Sequence, residues 1–256
     1  MTAFRVVVPA RWGSTRLPGK PLRLLAGRPM IEHVWRRACE SGAAEVLVAT
    51  DDERIASACR EFGATAVLTD PGHPSGTDRL AEVARTRGWP AHEIVVNVQG
   101  DEPLLPPANV AQVAQLLDGA PDCAIATLAT PVRTLHEFLD PNAVKVALGG
   151  NGRALYFSRA PIPWARDGAP AGLASQTAYA HALRHLGLYA YRCGSLLRLA
   201  ALPPSPLEDT EKLEQLRALE SGMRIAVAVA VAVPGPGVDT EADLAAADAL
   251  LRAAPP

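Results

Sequence analysis

Through its first half the chain alternates short, almost uninterrupted apolar runs with longer amphipathic stretches. Phe4 to Val8, Glu45 to Ala49, Thr65 to Leu68 and Ile94 to Val98 are the apolar runs. Their length and β-branched content suit strands covered on both faces. Between and after them the spacing predicts helices over Met30 to Cys39, about Asp52 to Phe62, about Thr77 to Arg87, and Val110 to Leu117. In the first, Met30, Ile31, Val34, Trp35 and Ala38 fall on one stripe. Repeated strand–helix units imply an α/β fold: a mostly parallel sheet, right-handed crossovers, and helices on both faces.

The second half is less regular. Ala124 to Leu128, Val144 to Leu148, Ala154 to Phe157, Leu188 to Tyr191 and Ile225 to Val233 read as strands. Between Ala160 and Thr177 a Pro/Gly/Ala-rich stretch shows no period and reads as an excursion from the core sheet. Glu208 to Ser221 reads as one helix with Gly222 just past its end, and Thr240 to Ala253 as the last helix. At 256 residues the chain can bury a full core without disulfide or metal staples. We expect a single domain over residues 1–256, with a β-rich, irregular region at about 131–191. Phe157, Ile162 and Trp164 have no evident place in a parallel-sheet core, so that region is expected to carry a homodimer contact.

Charge and targeting narrow the function. There are 25 basic and 27 acidic residues, a balance that argues against non-specific binding to nucleic acid or an anionic membrane. No apolar run reaches membrane-spanning length, and Met1 to Arg5 leads straight into a strand-like run. The expectation is a cytoplasmic protein. Cys39, Cys59, Cys123 and Cys193 are scattered without a Cys-x-x-Cys pair, as reduced, packing-only thiols would be. Lys20, Lys145 and Lys212 are the only lysines.

Ligands of open α/β sheets bind beyond the carboxyl ends of the parallel strands. After the first strand comes Pro9-Ala10-Arg11-Trp12-Gly13-Ser14-Thr15-Arg16-Leu17-Pro18-Gly19-Lys20-Pro21. Its fixed cations, hydroxyls and glycines suit a triphosphate. It is no Walker loop, since five residues separate Gly13 from Gly19 and Pro21 follows Lys20; it is no dinucleotide fingerprint either. The plainer reading is a basic surface loop. After the fourth strand, Asn97-Val98-Gln99-Gly100-Asp101-Glu102-Pro103 sets an acid where a metal-bound phosphate would lie. Asp239 follows the last long strand, where it or Thr240 is equally suited to cap the last helix. Ser75 to Arg79 suits either a helix start or a pyrimidine-reading loop. His185, in the company of Arg184 and Tyr189, and Glu214-Gln215, on a helix face, complete the candidates.

These segments together resemble the 3-deoxy-manno-octulosonate cytidylyltransferases, the CMP-KDO synthetases. The resemblance rests on Val8 to Arg11, Ser14 to Leu22, Ala49 to Asp51, Ser75 to Glu82, Val96 to Pro103, Pro141 to Lys145, Tyr156 to Arg159, Arg184 to Gly187, Glu214 to Arg217 and Val238 to Thr240. Asp78 stands where the family pattern has Glu, and residues 166–183 match no part of it. The resemblance implies a Rossmann-like nucleotidyltransferase fold, a homodimer and dependence on Mg²⁺. It implies transfer of CMP from CTP to 3-deoxy-D-manno-octulosonate for lipopolysaccharide biosynthesis, with release of pyrophosphate. Lys20, Arg16 and Asp101 would be catalytic. Ala10, Arg11, Ser14, Arg16, Lys20, Ser75, Arg79 and Gln99 would bind the nucleotide, and Asp101 and Asp239 the metal. Arg159 and His185 would meet the sugar carboxylate, and Tyr189, Glu214 and Gln215 its hydroxyls. A cytidylyltransferase for another acid sugar, such as sialic acid or an 8-amino-octulosonate, shares the phosphate loop. A uridylyl- or guanylyltransferase should show an extra basic cluster for an acceptor phosphate. A non-catalytic nucleotide-binding module would have no need of both aspartates with Lys20.

Overall fold

The computed structural model describes residues 3–14, 16–169 and 171–253. β1 (Arg5–Ala10) leads into a short ribbon, β2 (Leu24–Leu25) with β3 (Arg28–Pro29), and then α1 (Met30–Cys39). β4 (Glu45–Thr50), α2 (Glu53–Glu61), β5 (Thr65–Leu68), α3 (Gly76–Thr86), β6 (Ile94–Asn97) and α4 (Pro107–Asp118) complete the strand–helix repeat. Side chains start the helices. Asp52 accepts a hydrogen bond from the Arg54 N–H at 2.9 Å, and Ser75 caps α3 on the Asp78 N–H at 3.2 Å.

Beyond α4 come β7 (Ile125–Pro131), α5 (Leu135–Leu139), β8 (Lys145–Leu148), β9 (Ala154–Ser158) and β10 (Leu183–Arg192). α6 (Cys193–Ala200), α7 (Pro206–Glu211), α8 (Gln215–Glu220), β11 (Ile225–Val229) and α9 (Glu241–Ala253) finish the chain. The main sheet runs β11-β7-β10-β6-β1-β4-β5. Its pairs are parallel except around β10, which is antiparallel to both β6 and β7. Val6 stands opposite both Val46 and Val96. Val6, Val8 and Val96 pack on one face of the sheet, and Val7, Leu47 and Val95 on the other. Covering both faces is why these strands read as unbroken apolar runs. β8 and β9 form an antiparallel arm joined to the start of β10.

Four expectations need correction. β11 ends at Val229, and Val231 and Val233 are exposed. A helix predicted over Glu208 to Ser221 is two, because Lys212 takes a left-handed backbone (φ 52°) between α7 and α8. The Ser205–Glu208 capping box and Pro206 start α7 independently. The strand expected from Leu188 begins at Leu183, so Arg184 and His185 lie in the sheet. Phe157 is fully buried, packed with Val146, Leu213 and Leu216 in the core, and is removed from the expected subunit contact. Trp164 stays exposed. Among the described residues no helix is long and apolar enough to cross a membrane.

Candidate active site

β1 and β6 run side by side, and their carboxyl ends nearly touch. A Cβ on Gly100 would stand 2.6 Å from the Pro9 carbonyl oxygen, so only glycine permits this approach. It sets Asp101 beside the start of the basic loop. That loop is anchored at three points. The Trp12 N–H donates to Asp51 Oδ1 at 3.0 Å, and its ring lies 3.5 Å beneath the Arg54 guanidinium. Gly19 (φ 64°) turns the chain against the same ring and begins the short 3₁₀ turn Lys20–Leu22. Leu17 is buried with Leu25, Met30, Val238 and Leu244. Thr15 lies outside the described residues.

The Leu17 cluster also explains how Asp239 arrives. Val238 packs into it, and the Val238 N–H donates to the Asp101 carbonyl at 2.9 Å. Lys20 Nζ then donates to Asp101 Oδ2 at 2.7 Å and to Asp239 Oδ1 at 2.8 Å. Arg16 Nη2 pairs with Asp239 Oδ2 at 3.2 Å. Burial lowers the Lys20 pKa, but Asp101 and Asp239 more than reverse this, so the ammonium titrates above its usual range. Asp239 does not cap α9. The Asp243 N–H instead bonds Thr240 Oγ1 at 3.2 Å, which leaves the Asp239 carboxylate to the cleft.

Ala10, Arg11, Ser14, Arg16, Lys20, Ser75, Arg79 and Gln99 all line one cavity of about 490 Å³, with Asp101 and Asp239 in its wall. Arg79 is buried. Its guanidinium is committed to Thr69 Oγ1 and to Asp51 Oδ2, the latter at 3.1 Å, so it braces the wall. Ser75 likewise serves α3 and also donates to Glu214 Oε1 at 3.1 Å, while Thr77 donates to Oε2 at 2.8 Å. Burial raises the Glu214 pKa, and these two hydroxyls oppose it.

Arg159, His185, Tyr189, Glu214 and Gln215 line a second cavity of about 750 Å³. Gln99 and Asp239 border both cavities. Burial brings the His185 pKa down to about 3, so the ring is neutral. Its Nε2 lies 2.9 Å from Thr127 Oγ1. The one hydroxyl proton of Thr127 already faces the Leu186 and Leu188 carbonyls, so Nε2 carries the N–H and donates. Burial also holds the Tyr189 phenol far above its usual pKa. Gln215 Nε2 is buried without a hydrogen-bond partner. Glu102 borders the same cavity, pushed up to about 7 by burial and then by the charge of Asp101. The sequence motif contains Glu102 and Asp51, but nothing in their spacing separates a wall residue from a strut.

The family profile described as cytidylyltransferase matches residues 5–225. The chain belongs to the cytidylyltransferase family. It is 57% identical over 247 residues to the 3-deoxy-manno-octulosonate cytidylyltransferase of Halorhodospira halophila, covering 95% of each chain. It is 53% identical over 242 residues to the enzyme of that name from Pseudomonas syringae, covering 94% of this chain and 95% of the relative. A solved structure of CMP:2-keto-3-deoxy-manno-octonic acid synthetase complexed with CTP superposes with a TM-score of 0.88 at 43% identity, covering 98% of each chain. This cytidylyltransferase therefore has the nucleotidyltransferase-like fold of that protein. Cytidylyltransferases of this kind use a divalent metal ion, and the donor set here fits one. Two carboxylates converge on a single cationic atom, Lys20 Nζ, which stands where positive charge is wanted. Among the described residues no group of three or more His, Cys, Asp or Glu gathers to enclose an ion, so phosphate and water oxygens would complete the shell.

Proposed function

We propose that this cytidylyltransferase joins CTP and 3-deoxy-D-manno-octulosonate, giving CMP-KDO and pyrophosphate for lipopolysaccharide biosynthesis. The observation that carries this reading is that two polar cavities share a border at Gln99 and Asp239, beside the Lys20–Asp101–Asp239 cluster. One cavity presents Arg11, Arg16 and Lys20 to a triphosphate, with Arg79 bracing its wall. The other holds an arginine whose charge has no carboxylate partner: among the described residues Arg159 forms no ion pair. Its Nε donates to the Glu211 carbonyl at 2.7 Å and its Nη1 to the Pro141 carbonyl at 2.9 Å. That cation suits the carboxylate of an acid sugar.

In the reaction the anomeric hydroxyl of the sugar gives up its proton to solvent as its oxygen attacks the α-phosphorus, and the bond to the bridging oxygen of pyrophosphate breaks on the opposite side. Arg11 and Arg16 hold the triphosphate. Lys20 moves from the aspartates to the phosphate oxygens as they arrive and neutralises charge on the leaving pyrophosphate. Asp101 and Asp239 would then hold Mg²⁺, which when bound polarises the α-phosphate and lowers the pKa of the attacking hydroxyl. Gln99, at the border, contacts nucleotide and sugar alike. Gln215 Nε2 gives its free N–H to a sugar hydroxyl, Glu214 accepts from one, and Tyr189 closes the wall. Holding both reactants in line supplies much of the acceleration.

The same reading includes a homodimer through the 131–191 region and a cytoplasmic location. The test is pyrophosphate release with CTP, UTP, GTP and ATP, each with 3-deoxy-D-manno-octulosonate and with sialic acid. The expected result is turnover with CTP and the octulosonate. Preference for a purine triphosphate, or for sialic acid, would overturn it.

A further inference from the structure

Lys145 is fully buried and borders neither cavity. A methionine of similar volume would fill the same space at less cost, since burying an ammonium is unfavourable unless its donors are used. Two of the three donors of Lys145 are used on backbone carbonyls, Asp140 at 2.8 Å and Arg159 at 2.8 Å. Glu211, the last residue of α7, grips the same place from the other side. Its carboxylate accepts from Ser158 Oγ at 2.6 Å and from the Arg159 backbone N–H at 2.9 Å, and its carbonyl accepts from Arg159 Nε at 2.7 Å. Arg159 Nη1 closes the ring on Pro141, next to the Asp140 carbonyl that Lys145 holds. The backbone N–H, the carbonyl, Nε and Nη1 of Arg159 are therefore all tied to Lys145, to Glu211, or to the turn that Lys145 ties down.

We propose that Lys145 and Glu211 are positioning residues that aim the Arg159 guanidinium into the sugar cavity and so set the affinity for the carboxylate of the acid sugar. The proposal rests on the assignment of Arg159 to that carboxylate. A charge that must meet a planar anion at two atoms loses much of its value if displaced by an ångström. Neither Lys145 nor Glu211 lines the sugar cavity, so the proposal routes their effect through Arg159.

The experiment is steady-state kinetics on Lys145→Met, Arg159→Leu and the double variant, varying the octulosonate and CTP separately. Arg159→Leu should raise the KM for the sugar by about tenfold to a hundredfold. Lys145→Met should raise it by about tenfold, with the KM for CTP unchanged within about twofold. On the Arg159→Leu background, Lys145→Met should raise it no further. If Lys145→Met does not fold, Glu211→Gln, which gives up one acceptor and keeps its shape, should show the same selective rise and the same silence behind Arg159→Leu. A sugar KM that is unmoved, or that moves together with the CTP KM, or that rises again on the Arg159→Leu background, overturns the positioning role. An unmoved sugar KM in Arg159→Leu itself overturns the assignment of Arg159 to the sugar, and the positioning role with it.

Discussion

Lys20, Asp101 and Asp239 come from distant parts of the chain and meet at one ammonium. Removing that ammonium in Lys20→Ala should lower turnover by about 10²–10³-fold. It also leaves two carboxylates facing each other, so the variant should melt below wild type in chelator and recover on addition of Mg²⁺. A melting temperature that ignores Mg²⁺ would count against a metal between the aspartates. Asp239→Asn separates capping from metal binding. Because Thr240 caps α9, the variant should melt near wild type, bind CTP less tightly only when Mg²⁺ is present, and lose activity by orders of magnitude. Near-normal turnover would remove Asp239 from the site. His185 gives a pH dependence. Its native pKa of about 3 lies below its unfolded value, so the unfolded chain takes up the proton first. Its contribution is intact above about pH 6.5 and is lost as pH falls toward 3, at about 1.4 kcal/mol per pH unit. Urea melts of His185→Gln at pH 7 and pH 5 should show a smaller loss than wild type; an equal loss would show that His185 is not the titrating group.

Helices and strands place these side chains through a few backbone contacts. Gly100→Ala would drive a Cβ to 2.6 Å from the Pro9 carbonyl and spread β1 from the turn that carries Asp101. The expected cost is about 1–3 kcal/mol of stability together with a fall in kcat. Denaturant melts alongside initial rates check both, and a variant unchanged in each would show that the two strand ends are free to part. The elements of the first half were legible because each carries its own signal: α1 spans the residues that its apolar stripe predicts, and α2 and α3 begin directly after Asp52 and Ser75, which cap them. The break at Lys212 was not legible. Apolar spacing runs on through Leu213 and Leu216, and only packing reveals that the left-handed turn sends both into the core while Glu214 and Gln215 reach the second cavity.

For the whole molecule, the main expectation is self-association. Leu155, Trp164 and Leu173 are exposed within the 131–191 region, and Val229, Val231 and Val233 are exposed at the end of β11. Sedimentation at micromolar concentration should show a species of about twice 26.9 kDa, and Trp164→Lys should shift it toward the monomer. A single 27 kDa species in wild type would refute the dimer.

The alternation of apolar runs and amphipathic stretches was enough to reach a mostly parallel α/β sheet, because burial on two faces writes itself into consecutive residues. The loop after β1 and the acid after β6 followed from the rule that ligands meet such sheets at their carboxyl edge. Three-dimensional packing settled the rest. No local pattern says that β10 enters the sheet antiparallel between β6 and β7, or that Phe157 is core. Nothing near Asp239 in sequence says that Val238 will bury itself beside Leu17 and carry that carboxylate to Lys20. Such contacts join residues more than two hundred positions apart, and their free energy exists only once the intervening chain has folded.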